Sequence, residues 1–530
     1  MSGQTATQGA VTQMAAQGLA DAVLTGNPQV TFWRFVAKAY TNFALESQLL
    51  DFTAGQPYFG NFPKCNLDRI GDLVYWMYAV FDMPGIGCLT YTSYDAQGTA
   101  DGIAGFGDTT FTPPTPPTNP NAPYYTRAVG QALIQQANFF IGGQNIDYIK
   151  GEFLFIWEEL SGQPGKRLKE MTGNYVSINA LQRASSQPRR LYVPLPFWFT
   201  MNSGLALPLV SLQFHSVAVS LQLRPFQHLI KLTKASMALG YSVTGTKFGV
   251  FLRPAWDTSV AYWDGYPAPT TGNGTSTTAA YQPYTLLTQN LQSQDLNGYI
   301  EACYVYLDQR ERSKFADGAF EQLMIEHQDT EAQYETTVAG TNAVAGVAKE
   351  ARLELNFNHT IIELLWAVRL GAHEGFNGKN TYGAFNDFYN EWFDFGGLSN
   401  PVTGVPIDPI DRIQLRLNNA TRFGDVEGRY FRLVQPWQHH TNIPKEFIYS
   451  YSFALQPEDV QPSGSCNFSR IDNTQLNVYF NRHLFFGPTP TPVGYTTSND
   501  ENSSITFLVF ATNWNILRFK YGLGGKRFAN

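Results

Sequence analysis

Cysteine is scarce in this chain of 530 residues, which contains only four. Cys65, Cys88, Cys303 and Cys466 lie far apart, and none of them belongs to a CxxC pair. That spacing gives no sign of a disulfide framework or of a zinc site. It favours reduced, mostly buried thiols in a protein that assembles in the cytosol.

Charge is sparse as well. Charged residues make up 15% of the chain, and 36 basic against 43 acidic residues give a net charge of −7. Neither end carries an arm rich in Lys and Arg. Because packaging of nucleic acid depends on neutralising its phosphates, we expect no direct binding of nucleic acid.

Long apolar runs are missing too. The longest candidates, residues 73–81 and 361–370, have the length of a strand and fall short of the roughly 18–20 residues of a membrane-spanning helix. The first residues, MSGQTATQGAVTQMAAQ, lack the charged and apolar regions of a signal peptide. We therefore expect a soluble protein that has no membrane span and is not secreted.

Histidine is rare, and no repeated spacing suggests a metal site. The chain has eight histidines, of which His439-His440 and His373, followed by Glu374, are the candidates for ligands. Metal ligands recur at defined spacings, and these do not. We interpret them as exposed loop histidines.

Catalytic patterns are equally weak. No Ser/His/Asp or Cys/His set can be assembled, and Glu158-Glu159 are adjacent without anything that places them across a cleft. The glycine tract at 102–107 matches GxGxxG only loosely, and residues 522–527 lack the Ser or Thr of a P-loop. The sequence predicts no enzyme, no cofactor and no metal.

Aromatic residues, glycine and proline are abundant by contrast. Aromatics reach 15%, with 46 Gly and 30 Pro, a composition typical of many strands joined by turns. A chain of this length is expected to form two domains of about 200–250 residues. Residues 1–26 are small and polar, and we expect a mobile arm or a short helix that lies on a neighbour.

The stretch 191–223 contains the clearest strand. Val217, Val219, Leu221 and Leu223 alternate with smaller or polar residues, which is the period of a half-buried strand. Three prolines restrict residues 191–200 to an edge strand or an irregular approach. Bunched apolar residues at 204–214 predict a short helix or turn.

The first domain ends further along the chain. We expect residues 299–307 to form the strand that completes its β-sandwich, and the charged tract at 308–314 to mark the domain boundary.

Three long excursions, at 90–123, 228–297 and 373–408, read as surface insertions. Without 228–297 the two halves have similar lengths, and each holds roughly eight strands. Strands are predicted at 505–510 and 514–519, with an early strand through Phe35, and 153–160 is a strand end or a short helix. We predict an all-β protein of two consecutive eight-stranded antiparallel jelly rolls with long loop insertions.

Five N-x-S/T sequons occur in the chain. Asn358 and Asn467 lie beside predicted strands, where we expect structural polar residues. Asn273 and Asn502 lie in loops rich in Thr or Ser. They are the better candidates for glycosylation.

Seven tracts carry a family resemblance. They are LTGNPQVTFWRFVAKAYTNFALES, IGGQNID with GEFLFIWEEL, VPLPFWFTMNSGLALPLVSLQFH, YVYLDQRERSKFA, LNFNHTIIELLWAVR, PSGSCNFSRID and NWNILRFKYGLGG. In these tracts the chain resembles the major capsid proteins of nucleocytoplasmic large DNA viruses, the group of chlorella viruses, iridoviruses and mimivirus-like viruses. The resemblance covers both halves, and the departures fall in the three excursions.

The resemblance implies a double jelly roll with an N-terminal arm at 1–26 and jelly rolls at 27–312 and 318–530. It also implies a homotrimeric capsomer of pseudo-hexagonal outline that tiles an icosahedral shell above an internal lipid membrane. Neighbouring capsomers and minor capsid or penton proteins would be its partners. The implied location is the virion capsid, assembled in the host cytoplasm.

Two other functions fit a jelly roll. A glycan-binding, lectin-like protein is the first alternative, because the loops are rich in aromatic residues such as Trp263, Trp392 and Trp437. A hydrolase on tandem jelly rolls comes last, because it needs a convergent acid–base pair that the sequence does not show.

Overall fold

The computed structural model describes residues 5–28, 32, 39–90, 124–163, 165–166, 168–185, 188–231, 250–254, 296–335, 350–370, 391–395, 408–481, 490–491, 494–495 and 504–528. By contacts the chain divides into two units, Met1–Phe43 and Ala44–Asn530. The described part of the first unit forms the helices α1 (Thr5–Ala15) and α2 (Leu19–Thr25). Helix was one of the two structures expected for residues 1–26.

Among the described residues, the other α-helices belong to the second unit, and most of them are short. They are α3 (Val129–Leu133), α4 (Gly151–Ser161), α5 (Lys169–Thr172), α6 (Ile178–Ser185), α7 (Trp198–Met201), α8 (Gln309–Asp317) and α9 (Gln435–His439). Short 3-10 turns occur at Ser203–Leu205, Leu209–Ser211, Phe226–His228 and Phe468–Arg470, and a π-helical turn at Tyr430–Val434.

Strands dominate the second unit. In the first half of the chain they are β1 (Phe43–Leu50), β2 (Lys64–Leu67), β3 (Leu73–Met83), β4 (Ile86–Thr90), β5 (Tyr124–Tyr125), β6 (Ile134–Ile141), β7 (Gln144–Lys150), β8 (Arg189–Pro194), β9 (Leu207–Pro208), β10 (Val217–Leu223), β11 (Ile230–Lys231), β12 (Val250–Pro254) and β13 (Asn297–Leu307). In the second half they are β14 (Phe320–Glu335), β15 (Glu350–Glu354), β16 (Thr360–Leu370), β17 (Ile410–Leu417), β18 (Ala420–Glu427), β19 (Ile448–Ser452), β20 (Cys466–Asn467), β21 (Thr474–Phe480), β22 (Pro490–Thr491), β23 (Gly494–Tyr495), β24 (Ser504–Lys520) and β25 (Leu523–Lys526).

Two four-strand paths form the first sandwich. One sheet has the order β1-β13-β3-β8, with β9 beside β3, and the other has the order β2-β10-β6-β7. The alternating apolar residues of β10 are buried, as predicted, and β10 pairs antiparallel with β2 and β6. Strand β8 lies at the edge of its sheet and ends at Pro194, which agrees with the proline argument.

The turn between β6 and β7 is a tight hairpin. Gly142 and Gly143 have φ angles of 59° and 83°, the left-handed values that a two-residue type I′ turn needs. The sequence predicted a hairpin at this dipeptide, and the antiparallel pairing of β6 with β7 confirms it.

The second sandwich repeats the arrangement. One sheet has the order β14-β24-β16-β19, with β20 beside β16 and β25 beside β24, and the other has the order β15-β21-β17-β18. Each half therefore contributes eight principal strands, which confirms the predicted pair of antiparallel jelly-roll sandwiches. Among the described strands, none before α8 pairs with one after it.

The prediction of two strands at 505–510 and 514–519 was wrong, because β24 is one strand of 17 residues. Its pairing with β14 continues without a break from Ser504 to Phe519. Small and polar residues interrupt the apolar pattern at Ala511, Thr512 and Asn513. All three are buried, and the two polar side chains bond to glutamates of neighbouring strands. Buried polar side chains with partners are compatible with a continuous ladder.

Other sequence predictions concern short segments, and the structure answers them one by one. The short helix or turn expected at 204–214 corresponds to two 3-10 turns, and the tract 153–160 is helical within α4. The charged tract after β13 forms α8, whose N-cap Asp308 accepts a hydrogen bond from the Gln309 N–H. Cys65 and Cys303 are buried free thiols, and Cys466 is a half-buried one.

Several predictions lie outside the described residues. They concern the strand through Phe35, most of the three excursions, the His373-Glu374 pair, and the sequons at Asn273 and Asn502.

Candidate functional site

Both sandwiches share one hydrophobic core. Nearly all of their buried apolar side chains form one continuous cluster, apart from a small one at Leu73, Ala206 and Val305, and polar contacts cross between the halves within it. We call this region the seam, and define it by α4, β7 and β10 of the first half together with β14, β16 and residues 391–395 of the second. The contacts in the seam join the two sandwiches to each other.

One buried carboxylate in the seam binds two arginines. Glu152, in the first turn of α4, accepts from Arg224 Nη2 at 2.6 Å and from Arg369 Nη1 at 2.9 Å. All three side chains are at most 5% exposed. Burial alone would raise the pKa of Glu152, but the two guanidinium groups overcome it and lower that pKa to about 2. The carboxylate is therefore ionised and ties the two halves together.

Residues 391–395 close this cluster from the second half. The indole of Trp392 lies 4.0 Å and 4.8 Å from the two guanidinium carbons, measured to its ring centroid, which is close enough for cation–π attraction. Its Nε1 donates to the carbonyl of His228 at 2.7 Å. Phe393 stacks on Phe155 of α4 with centroids 4.4 Å apart. Trp392, proposed as a loop aromatic for glycans, is instead 8% exposed.

A second polar contact in the seam joins β7 to β14. Asp147 accepts from the backbone N–H of His327 at 3.0 Å, and its other oxygen lies 2.9 Å from His327 Nδ1. Burial raises the pKa of Asp147, and the histidine acts in the opposite direction. Both carboxylate oxygens are therefore bonded to one residue of the other half.

Further contacts extend the junction around the seam. Arg127 pairs with Glu446, and the Asn442 side chain donates to the Gly162 carbonyl. At the chain's end, Gly522 accepts from the Phe214 N–H at 3.0 Å, and Gly524 lies within hydrogen-bond distance of the His215 ring.

Gly524 is also packed tightly against the first sandwich. A Cβ at this position would come within 2.5 Å of Leu212 and 3.5 Å of Ile141. Only glycine therefore fits without a shift of the neighbours, and β25 closes against the first half.

The interpretation of His439-His440 as exposed loop histidines was wrong for His440. Its side chain is fully buried between two carboxylates, with Glu363 at 3.3 Å and Glu458 at 3.0 Å. Burial would lower its pKa, but these carboxylates raise it to about 9, so the ring is a buried cation. His439 ends α9, half-buried. Among the described residues no group of three or more His, Cys, Asp or Glu could hold a metal.

The adjacent glutamates do not form an acid–base pair. Glu158 accepts from the Gln131 side chain at 2.7 Å, and burial raises its pKa to about 7. Glu159 lies 3.9 Å from Arg127. Each carboxylate therefore has its own partner within the first half.

The sequons within the described residues lie at turns and strand ends. Asn358 and Asn467 are exposed next to β16 and in β20, and Asn419 has a φ of 62° in the turn between β17 and β18. Among the described residues no helix is long and apolar enough to cross a membrane.

Sequence reasoning missed the seam residues. A signal was present, because Glu152 and Arg369 are single charges at the ends of apolar runs, where an unpaired charge would be costly. Pattern alone could not pair them, since they are 217 positions apart.

Two family models match the chain in tandem. Residues 31–266 match the major capsid protein N-terminus, and residues 311–525 match the large eukaryotic DNA virus major capsid protein. The major capsid protein of Phaeocystis pouchetii virus is 29% identical, over 98% of this chain and 100% of that protein. That of Paramecium bursaria Chlorella virus 1 is also 29% identical, with the same coverage of this chain and of that protein.

Solved structures agree on the fold. The quasi-atomic model of the PBCV-1 virus capsid superposes with a TM-score of 0.61 at 24% identity, over 94% of this chain and 100% of that one. Two eight-stranded sandwiches with this match define a double jelly-roll capsid protein. The chain belongs to the major capsid protein family of the large eukaryotic DNA viruses. Its relatives are structural proteins rather than enzymes, and they support the capsid interpretation over the glycan-binding alternative.

Proposed function

We propose that this protein builds homotrimeric capsomers of pseudo-hexagonal outline that tile an icosahedral shell. The observation that carries the proposal is the duplicated sandwich, eight principal strands on each side of α8. Three chains with two similar sandwiches each would present six similar units around a threefold axis, so a trimer can fill a lattice position with near-sixfold packing.

The seam supports this role. A capsomer must keep its two sandwiches in fixed relation if six units are to match their neighbours. The Glu152 cluster, the Asp147–His327 contact and the shared core join the halves within residues 44–530, which form one compact unit. We propose residues 1–26 as an arm, and 27–312 and 318–530 as the two jelly rolls, with α8 as the connection.

The partners follow from the same proposal. Neighbouring capsomers would contact the outer sides of the trimer, and minor capsid or penton proteins would fill the remaining positions. The shell would lie above an internal membrane and assemble in the host cytoplasm. A net charge of −7 suits a shell protein that does not bind the genome directly.

Electron microscopy of the purified chain tests the trimer. We expect size-exclusion chromatography with light scattering to give three times the chain mass at neutral pH, and class averages to show threefold particles with a hexagonal outline. A population of monomers only, across a range of protein concentrations, would refute the proposal.

We also propose Asn273 and Asn502 as glycan attachment sites, because both belong to sequons in loops rich in Thr or Ser. Peptide mapping of protein purified from virions tests this directly. Glycopeptides at these asparagines are expected, and unmodified peptides at both positions would contradict the proposal.

A further inference from the structure

A lysine, a glutamate and two asparagines meet on one face of the second sandwich. They are Lys526 of β25, Glu326 of β14, and Asn513 and Asn515 of β24. Asn513 and Asn515 are 0% and 2% exposed, and the side chains of Glu326 and Lys526 are 10% and 17% exposed. The ion pair is therefore largely removed from water and surrounded by amides.

The geometry of the glutamate links an amine to an amide. Lys526 Nζ donates to Glu326 Oε1 at 2.5 Å, and Asn515 Nδ2 donates to Glu326 Oε2 at 2.9 Å. The amine and the amide therefore lie side by side on the two oxygens of one carboxylate. The other amide is placed less favourably, because Asn513 Nδ2 lies 3.3 Å from the same oxygen.

The Asn515 amide is held in one orientation. Its nitrogen also donates to the Phe528 carbonyl at 2.9 Å, and its oxygen accepts from the Ile516 N–H at 2.7 Å. Two acceptors on the nitrogen side and a donor on the oxygen side fix the assignment of the amide. The Ile516 N–H also points at the atom that would become negative if a nucleophile added to the amide carbon.

We propose that Lys526 and Asn515 form an intramolecular isopeptide bond, with Glu326 as the proton carrier. This arrangement supplies each part that an acyl transfer needs: an amine nucleophile, a base beside it, an acid beside the leaving group, and a donor for the oxyanion. The reaction uses only groups of this chain.

The chemical step balances without a co-reactant. Glu326 Oε1 takes one proton from the Lys526 ammonium, and neutral Nζ adds to Cγ of Asn515 to give a tetrahedral adduct whose oxyanion accepts from Ile516. The protonated carboxyl of Glu326 then turns its O–H towards Nδ2 and hands over that proton, the Cγ–Nδ2 bond breaks, the oxyanion re-forms the C=O bond, and ammonia leaves. Nζ releases its second surplus proton to Glu326, which passes it to water.

The bond would fix the chain's last strand. It closes the loop from Asn515 to Lys526 across the β24–β25 hairpin, in which Lys526 is paired with Leu517. The same β24–β25 hairpin contacts the first sandwich, at Phe214 through Gly522 of its turn and at His215 through Gly524 of β25. A covalent link here would therefore hold the junction between the halves closed even when the sheet hydrogen bonds open.

Mass spectrometry of the full-length protein tests the proposal. We expect a tryptic digest to contain a branched species that joins the peptide ending at Arg518 to peptide 521–527, lighter than the sum of its parts by one ammonia, about 17 Da. Peptide mapping isolates this change from any glycan elsewhere in the chain.

Three variants assign the roles. Lys526→Arg keeps a cation beside Glu326 but cannot form the amide, and Glu326→Gln removes the proton carrier, so both are expected to lose the branched peptide. Lys520→Arg, an exposed lysine on β24, is the matched control and is expected to keep it. The wild-type digest decides the question even if a variant does not fold.

Two results would overturn the proposal. One is a wild-type digest in which Asn515 and Lys526 occur only in linear peptides of unchanged mass. The other is an ammonia loss confined to the linear peptide ending at Arg518, which would indicate cyclisation of the asparagine on its own backbone instead of a cross-link.

Discussion

Replacement of Glu152 by Gln is the sharpest test of the seam. The change keeps the shape of the side chain and removes a charge that compensates two arginines, each of them at most 5% exposed. Removing one partner of a buried ion pair typically costs about 3–5 kcal/mol, because the remaining charge stays buried. Lowering the pKa of Glu152 from 4.5 to about 2 corresponds to about 3 kcal/mol, which agrees with that range.

A matched control exists on the surface. Glu321 also lies between two arginines, with Arg518 and Arg527 both at 2.7 Å, but its side chain is 34% exposed. Since water solvates these charges and screens their interaction, Glu321→Gln should change stability little. The two variants remove the same chemical interaction and differ in burial.

Thermal unfolding at fixed protein concentration measures the stability of both variants. We expect Glu152→Gln to lower the unfolding midpoint by roughly 3–5 °C, taking about 1 °C per kcal/mol because the unit of residues 44–530 unfolds with an entropy of about 2.1 cal/mol/K per residue. The folded-state pKa of Glu152 lies below its unfolded value, so its contribution is present above about pH 4.5 and is lost as the pH falls towards 2. The gap between wild type and variant should close over that interval. Equal losses in the Glu152 and Glu321 variants would refute the argument from burial.

Two further changes test the second half. Phe393→Ala should cost about 3–5 kcal/mol, because it removes the ring stacked on Phe155, whereas Trp437→Ala, at a side chain 73% exposed, should leave the urea midpoint nearly unchanged. A comparable loss in both would argue against the stacking contribution. His440→Gln leaves Glu363 buried without its cation, so the variant should be less stable at pH 7. Because the pKa of His440 is raised to about 9, its stabilisation is complete below about pH 6.5 and is lost as the pH rises through 9. Urea titrations from pH 6 to 10 should show the difference from wild type shrinking, and a constant difference would contradict the assigned charge.

Local patterns predicted much of the fold. The alternation in β10, the Gly142-Gly143 turn and the edge position of β8 each depend on residues within one element and its neighbours. The count of eight strands in each half follows from the same patterns, repeated along the chain. These features are encoded locally because strand period and turn conformation restrict the residue types directly.

Such local patterns could not predict the seam or the long strand β24. Glu152 and Arg369 are distant in sequence, and nothing in either tract indicates which charge will meet which. Likewise Thr512 and Asn513 look like a strand break because their partners, Glu363 and Glu326, come from other strands. The interpretation of His440 as an exposed loop histidine was wrong for the same reason. Burial of polar groups is decided by pairing across the fold, which a single-sequence pattern does not contain.

The position of β25 has a consequence for how the protein is made. A ribosome synthesises residues 523–526 well after the first half, yet Gly524 fits against Leu212 and Ile141 of that half. A chain that stops early therefore lacks the strand that covers this apolar surface. The surface of the first half around Leu212 and Ile141 is therefore covered only once residues 523–526 have been made and β25 has paired with β24.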